Sequence, residues 1–380
     1  MILKNAKVLY KEKELINADI YIKNGRIEKV GELAEINDEV IDLKGKTILP
    51  GFIDNHNHGA MGHWFKTPDV DFNELSSFFA EQGITGLLAT TSTAPISNIL
   101  ESLKSIADGE NKRTKGTKIL GIHAEGPFLS KRRKGAMDES NIISATPELI
   151  DEMLSASEGL LKVITIAPEE DANTKVITYA AKKGINCSIG HTDSTYEEAV
   201  AAIDAGAASS THTFNGMRPL SHRDPGVLGA VLTDDRVYCE VICDFYHVNP
   251  AIVKMIYKLK GAEKMIVISD TVPAAGIKTE TFVLDGALIY IRDGLLIRED
   301  GVINGSVRTL KDGFKNLLSI GIPLADISRM ISGNPARLNG LFEETGSIEE
   351  GKLADLTVTD DEGNICMTII NGEIEFNGML

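Results

Sequence analysis

Between residues 51 and 345 the chain alternates short apolar runs with amphipathic ones, and this alternation leaves few folds open to it. Candidate strands fall at 52–58, 84–92, 118–126, 161–167, 186–192, 208–213, 237–244 and 264–270. Most are rich in Ile, Val and Leu or in small residues and lack strict in–out alternation, as parallel strands buried on both faces do. Helical spacing of apolar residues lies between them, near 72–82, 97–108, 147–158, 172–183, 195–205 and 249–260, and again near 307–319 and 324–332. Eight strand–helix steps predict a (β/α)8 TIM barrel. A doubly wound open sheet is the alternative, but no Gly-x-Gly-x-x-Gly turn follows a strand.

The two ends read differently. Residues 1–50 hold the short apolar runs Ile2–Tyr10, Ile16–Lys23, Arg26–Val30 and Glu39–Leu43, with an Asn24-Gly25 hairpin signal. A matching fragment closes the chain at Leu353–Thr359, Met367–Asn371 and Glu373–Asn377. Residues 1–50 plus 346–380 are therefore expected to form one small β-sandwich domain, with the barrel, 51–345, inserted between its halves. Residues 126–146 carry the basic tract Lys131-Arg-Arg-Lys134, which reads as a solvated charge run, and 271–306 include a hairpin expected around Arg292-Asp293-Gly294. Both follow barrel strands, where active sites are built.

A formal charge of −16 argues against nucleic acid and anionic membrane surfaces as partners, since both require basic patches. Met1-Ile-Leu-Lys-Asn-Ala-Lys7 has no apolar run like a secretion signal, and no stretch is long enough to span a bilayer. The cysteines at 187, 239, 243 and 366 show no CxxC spacing and read as reduced residues of a cytoplasmic protein.

The chain has eight histidines, and five of them (His56, His58, His191, His212 and His247) sit at or just past predicted strand C-termini. Glu125 and Asp270 end strands 3 and 8 in the same way. In a barrel these ends meet at one rim, so His56, His58, Glu125, His191, His212 and Asp270 become neighbours. Such an N/O donor set with open positions suits a catalytic divalent metal, one or two ions per chain. Zinc or iron fits it first, with manganese also admissible. His123 shares the Glu125 strand face one layer deeper and reads as hydrogen-bonded support, and His63 lies in a loop.

At this point the motifs resemble a known family. His56-Asn-His58-Gly with His191, His212 and Asp270 is similar to the amidohydrolase superfamily. The tracts His123-Ala-Glu125-Gly-Pro-Phe, Gly190-His191-Thr-Asp193, Thr211-His212-Thr-Phe-Asn215-Gly216-Met217 and Ser269-Asp270-Thr-Val-Pro-Ala-Ala-Gly276 resemble its N-acetylglucosamine-6-phosphate deacetylases. Asn334-Pro-Ala-Arg337 and the run from Gly346 to Asp355 are also family-like, so the resemblance is nearly end to end. It implies hydrolysis of the N-acetyl group of a 6-phosphorylated amino sugar, giving acetate and the free amine. Glu125, His191 and His212 would hold the main metal, His56 and His58 a second one bridged by Glu125, and Asp270 would transfer the proton. Substrate contacts would come from Ala136, Asn215, Gly216, Arg223, His247, Ile303, Asn304 and Gly305. Arg223 would reach the site of a neighbouring subunit, which implies a homodimer; its alternative reading is an ion pair to Asp224 or a solvated turn.

Of two departures, Gly216 in place of the family's usual Ala is a small change, and the other matters. Met137 stands where the family usually has a His that contacts the substrate near the scissile carbonyl, and a thioether has no hydrogen to donate. Losing such a donor costs roughly 10²–10³ in rate unless another group polarises the carbonyl. The competing enzyme reading is an amidohydrolase acting on another N-acyl amino sugar, such as the galacto epimer, or on another amide. Many cyclic amidases bridge two metals with a carboxylated Lys on strand 4, whereas here the only strand-4 lysine, Lys162, lies at the strand start. A barrel that had lost its metal would be expected to have lost ligands, and all six are present.

Overall fold

The computed structural model describes residues 1–33, 36–67, 70–170, 173–284, 287–292, 294–299 and 303–379. Eight strands form the expected barrel: β1 Phe52–Asn57, β2 Ile84–Thr91, β3 Lys118–Glu125, β4 Leu161–Ile166, β5 Asn186–Ile189, β6 Ser209–Ser210, β7 Tyr238–Ile242 and β8 Met265–Ile268. Each pairs in parallel with its sequence neighbour. The ring closes just beyond β8. There the Asp270 N–H donates to the His56 carbonyl at 3.0 Å and the His58 N–H to the Thr271 carbonyl at 2.8 Å. The seam of the barrel is thus built from the residues singled out above.

Several strands stop earlier than the sequence suggests. β5 ends at Ile189 and β6 at Ser210, where the apolar runs extend to 192 and 213. The cause is backbone conformation: His191 (φ 46°), His212 (φ 29°), Phe214 (φ 83°), Phe245 (φ 66°) and Asp270 (φ 51°) all lie in the left-handed region, which a strand cannot traverse. Non-glycine residues rarely adopt it, and they cluster where function over-determines the backbone.

A helix follows each strand, at Phe72–Glu81, Ile96–Lys112, Pro147–Ala156, Asn173–Lys182, Tyr196–Asp204, Gly226–Thr233, Pro250–Lys260 and Leu310–Ser319. Local signals set some of their starts, as in the reciprocal Thr195–Glu198 capping box. The helix Gly226–Thr233 is absent from the sequence reading. Its residues 226–232 are all buried, so it has no polar face and no helical periodicity to detect. The helical pattern expected near 324–332 is Leu324–Ser328 followed by a wide π turn, Arg329–Gly333, and a last helix, Asn334–Leu338. The Asn334 amide anchors this segment by donating to the Ala262 and Met265 carbonyls, each at 2.7 Å.

Both chain ends enter one eight-stranded sheet. Its central strand, Thr47–Pro50, pairs in parallel with Ile2–Tyr10 and antiparallel with Leu356–Thr359. The sequence hides this strand, because Pro50-Gly51 reads as a turn. Leu3, Val8, Ile20, Ile27, Ile48, Leu356, Val358, Met367 and Ile369 share a core separate from that of the barrel. After β8 the chain forms a four-stranded antiparallel sheet, Thr281–Leu284, Ala287–Arg292, Leu295–Ile297 and Ile303–Ser306. Arg292 pairs with Leu295 across the expected hairpin, whose Asp293 lies outside the described residues. Among the described residues no helix is long and apolar enough to cross a membrane, and all four cysteines are free.

Candidate metal centre

At the mouth of the barrel one carboxylate gathers four imidazoles. Glu125, the last residue of β3, is buried, and its Oε1 lies 2.8 Å from His212 Nε2, 3.3 Å from His191 Nε2 and 3.6 Å from His56 Nε2. Its Oε2 lies 3.3 Å from His58 Nε2. Asp270 Oδ1 faces the same two β1 histidines at 3.5 and 3.3 Å. The strand period of two turns His56 and His58 to one side, and left-handed backbone at His191, His212 and Asp270 turns their side chains inward past the strand ends. All six residues converge.

The donor set suits a cation. Nε2 atoms approach each other to 3.1 Å in both the His56–His58 and the His191–His212 pair, where two lone pairs would repel unless a proton or a metal lay between them. His191 is already set as a ligand, because its Nδ1–H donates to the Arg133 carbonyl at 2.8 Å and leaves Nε2 bare. A Cβ on Gly216, at φ 60°, would come 2.9 Å from His191 Nδ1, so the glycine lets the backbone close up behind that ring.

The electrostatics say the same. Burial would push the Glu125 carboxyl up, but His56 and the hydrogen bonds from His191, His212 and His58 hold it well below the usual range. Burial likewise opposes ionisation of Asp270, and His56 and His58 outweigh it. Burial would lower His58, yet Asp270 and Glu125 push it up to about 10. His212 is desolvated too, and Glu125 raises it to about 9. Desolvation wins at His56, lowered to about 4, and at His123, lowered to about 3. Without a cation, His58 and His212 therefore carry protons at neutral pH, and a metal must displace both to bind their nitrogens. Calorimetry of metal uptake near pH 7, in buffers of different ionisation enthalpy, is expected to show release of about two protons, with affinity falling as pH drops below about 10 and more steeply below about 9. Uptake without proton release would contradict this charge balance.

The remaining candidates are less concentrated. Asn215 is folded back onto His212, its N–H and Nδ2 donating to the His212 carbonyl at 2.9 and 3.2 Å. His247 Nδ1 lies 2.7 Å from Asp244 Oδ2 on the loop after β7. Gly305, at φ 100°, runs so close to the Asp270 loop that a Cβ would come 2.5 Å from Val272 Cγ1. Ile303 and Asn304 lie on the same strand, and their side chains are outside the described residues. Ala136 is exposed on the loop after β3, and Met137 beside it is partly buried with Sδ 2.9 Å from Thr93 Oγ1. Arg223 is exposed and makes no ion pair among the described residues, because Asp224 is taken by Arg218 at 2.6 Å. That contradicts the ion-pair reading of Arg223. His63 pairs with Glu74 at 3.2 Å.

Sequence reading missed the supporting groups. The basic tract is not wholly solvated: Arg133 pairs with Asp193 at 2.7 Å while its carbonyl holds His191. Asp54 on β1 accepts from Ser269 and Asn57, tying β1 to the Asp270 loop, and burial raises its carboxyl to about 6. Glu240 lies buried on β7 below His56. An acid inside an apolar strand was the available signal for Asp54 and Glu240; nothing in a sequence marks the backbone carbonyl of Arg133. His123 is hydrogen-bonded support, with Nε2 2.7 Å from Thr165 Oγ1 and Nδ1 3.3 Å from the Asn55 carbonyl.

The Amidohydrolase family model matches residues 47–374. An N-acetylglucosamine-6-phosphate deacetylase of Haemophilus influenzae is 35% identical over 97% of this chain and 98% of its own length. The enzyme of that name from Bacillus subtilis is 32% identical over 99% of this chain and 97% of its own. Among solved structures, N-acetyl-D-glucosamine-6-phosphate deacetylase from Mycobacterium smegmatis, in complex with N-acetyl-D-glucosamine-6-phosphate, superposes with a TM-score of 0.92 at 32% identity, covering 99% of both chains.

Proposed function

The chain belongs to the amidohydrolase family, and from that premise we propose that it hydrolyses the acetamide of N-acetyl-D-glucosamine 6-phosphate, releasing acetate and D-glucosamine 6-phosphate. The observation that carries this is the Glu125 carboxylate shared among four imidazoles with Asp270 beside them. Full-length relatives bearing that activity support the choice of substrate.

Glu125, His191 and His212 would hold a divalent cation, and His56 and His58 a second that shares Glu125; zinc or iron suits these ligands, and manganese is admissible. When bound, such a cation supplies an acidified water and polarises the amide carbonyl. The second task carries extra weight here, since Met137 has no hydrogen to donate. Asp270, ionised and at the rim of the centre, accepts the proton of the attacking water and delivers it to the departing nitrogen, without which the amine could not leave. Asn215 and Gly216 back the two histidines and offer polar groups on the substrate side, together with Ala136 and the Ile303-Asn304-Gly305 strand. With Nδ1 engaged by Asp244, His247 has Nε2 left for a phosphate oxygen. Arg223, exposed and without an intramolecular ion pair among the described residues, is assigned to the phosphate of a neighbouring subunit in a homodimer. We place the enzyme in the cytoplasm, a reading its four free cysteines support.

An acetate-release assay over phosphorylated and free N-acetylhexosamines tests the proposal. Two charge-assisted contacts to phosphate contribute about 1.5–3 kcal/mol each, so kcat/KM is expected to favour the gluco 6-phosphate over the free sugar by about 10²–10⁴. Equal turnover of the two would remove the phosphate from recognition, and faster turnover of the galacto 6-phosphate would reassign the substrate.

A further inference from the structure

Of the buried polar atoms near the centre that have no hydrogen-bond partner among the described residues, two face each other. One is Nδ1 of His56 and the other Oε2 of Glu240, 3.9 Å apart on the inner side of the barrel. Both side chains are fully buried. The other Glu240 oxygen, Oε1, accepts from the Asn55 amide nitrogen, and Asn339 in turn donates to Asn55 Oδ1 at 2.6 Å. This fixes which way the Asn55 amide points, and so leaves Oε2 free toward His56.

The opposite nitrogen of the same ring does the work at the mouth. His56 Nε2 faces His58 Nε2, Glu125 and Asp270. A neutral imidazole carries a single hydrogen, so Nε2 can present a lone pair only if that hydrogen sits on Nδ1. We propose that Glu240 is the positioning residue of His56: as the ring takes up a cation and the 3.9 Å gap closes, its Oε2 accepts the Nδ1–H and so fixes Nε2 as the bare nitrogen turned to the centre. The inference rests on His56 holding a cation. His123, which also lies close to both residues, does not compete for this role, since Thr165 and the Asn55 carbonyl occupy both its nitrogens. The chain Asn339, Asn55, Glu240, His56 thus runs from the end of the helix Asn334–Leu338 to the rim, and it acts on the ring without touching substrate.

Histidine-ring 15N NMR of the full-length, zinc-loaded protein, with the His56 signals assigned by their loss in His56→Gln, reads the tautomer directly. The expected result is a protonated Nδ1 on His56, and an unprotonated Nδ1 would overturn the proposal. Zinc affinity, measured by competition with a chromophoric chelator, supplies the second readout. Glu240→Leu is expected to weaken the ion at His56 and His58 by about 10–100-fold and to leave the ion at Glu125, His191 and His212 in place. Glu240→Gln, whose amide oxygen can still accept, is expected to recover most of that loss. Unchanged affinity in a folded Glu240→Leu variant would sink the assignment; should that variant fail to fold, Glu240→Gln and the wild-type tautomer decide. Wild-type protein that takes up no zinc at all defeats the reading on which the inference rests, a result separable from any effect of the Glu240 variants.

Discussion

Replacing Glu125 with alanine is expected to leave a folded barrel that holds little or no metal and has lost about 10³ or more in kcat/KM. Glu125 faces both halves of the donor set. Its Oε1 lies 2.8 and 3.3 Å from His212 and His191 while Oε2 lies 3.3 Å from His58. Removing it leaves imidazoles without the negative charge that stabilises a cation among them. A Lewis acid contributes several kcal/mol to the transition state of amide hydrolysis, and about 4 kcal/mol corresponds to about 10³ in rate. Elemental analysis alongside acetate-release kinetics checks both halves of the expectation. Full metal content with near-normal turnover would remove Glu125 from the centre.

Asp270→Asn separates chemistry from binding. The amide is close to isosteric, and asparagine tolerates the left-handed backbone at this position, so the barrel seam at His56 and Thr271 should be undisturbed. What the variant loses is a basic oxygen able to take and return a proton. Positioned acid–base catalysis contributes about 10²–10⁴, so kcat is expected to fall by that factor while metal content and KM change little. Normal turnover would take Asp270 out of proton transfer, and lost metal would make it chiefly a ligand.

Where the sequence was readable, it was so for identifiable reasons. Parallel strands buried on both faces announce themselves as unbroken apolar runs, and β2 is buried at every position. Polar residues that break such runs at their C-terminal ends stand out, which is why the sequence alone gathers His191, His212 and Asp270 at one rim. The helix Gly226–Thr233 escaped because burial on every side erases periodicity, and Thr47–Pro50 because a proline at a strand end looks like a turn. Arg223 shows a different limit. Sequence adjacency suggested a pair with Asp224, but Arg218, six residues away, holds that carboxylate through Nε and a second nitrogen.

The amino-acid sequence alone determined the barrel, the pairing of the two ends and the identities of the six rim residues. Each follows from periodicity, or from residue types whose chemistry is carried by the side chain itself. Only the tertiary structure decided which atoms face which: that one Glu125 oxygen faces His56, His191 and His212 while the other faces His58, that the Arg133 carbonyl sets the His191 ring, and that Glu240 stands behind His56. Such relations depend on left-handed turns at the strand ends and on contacts between residues more than 50 positions apart. Distance along the chain carries no information about them, because barrel closure alone brings those strands together.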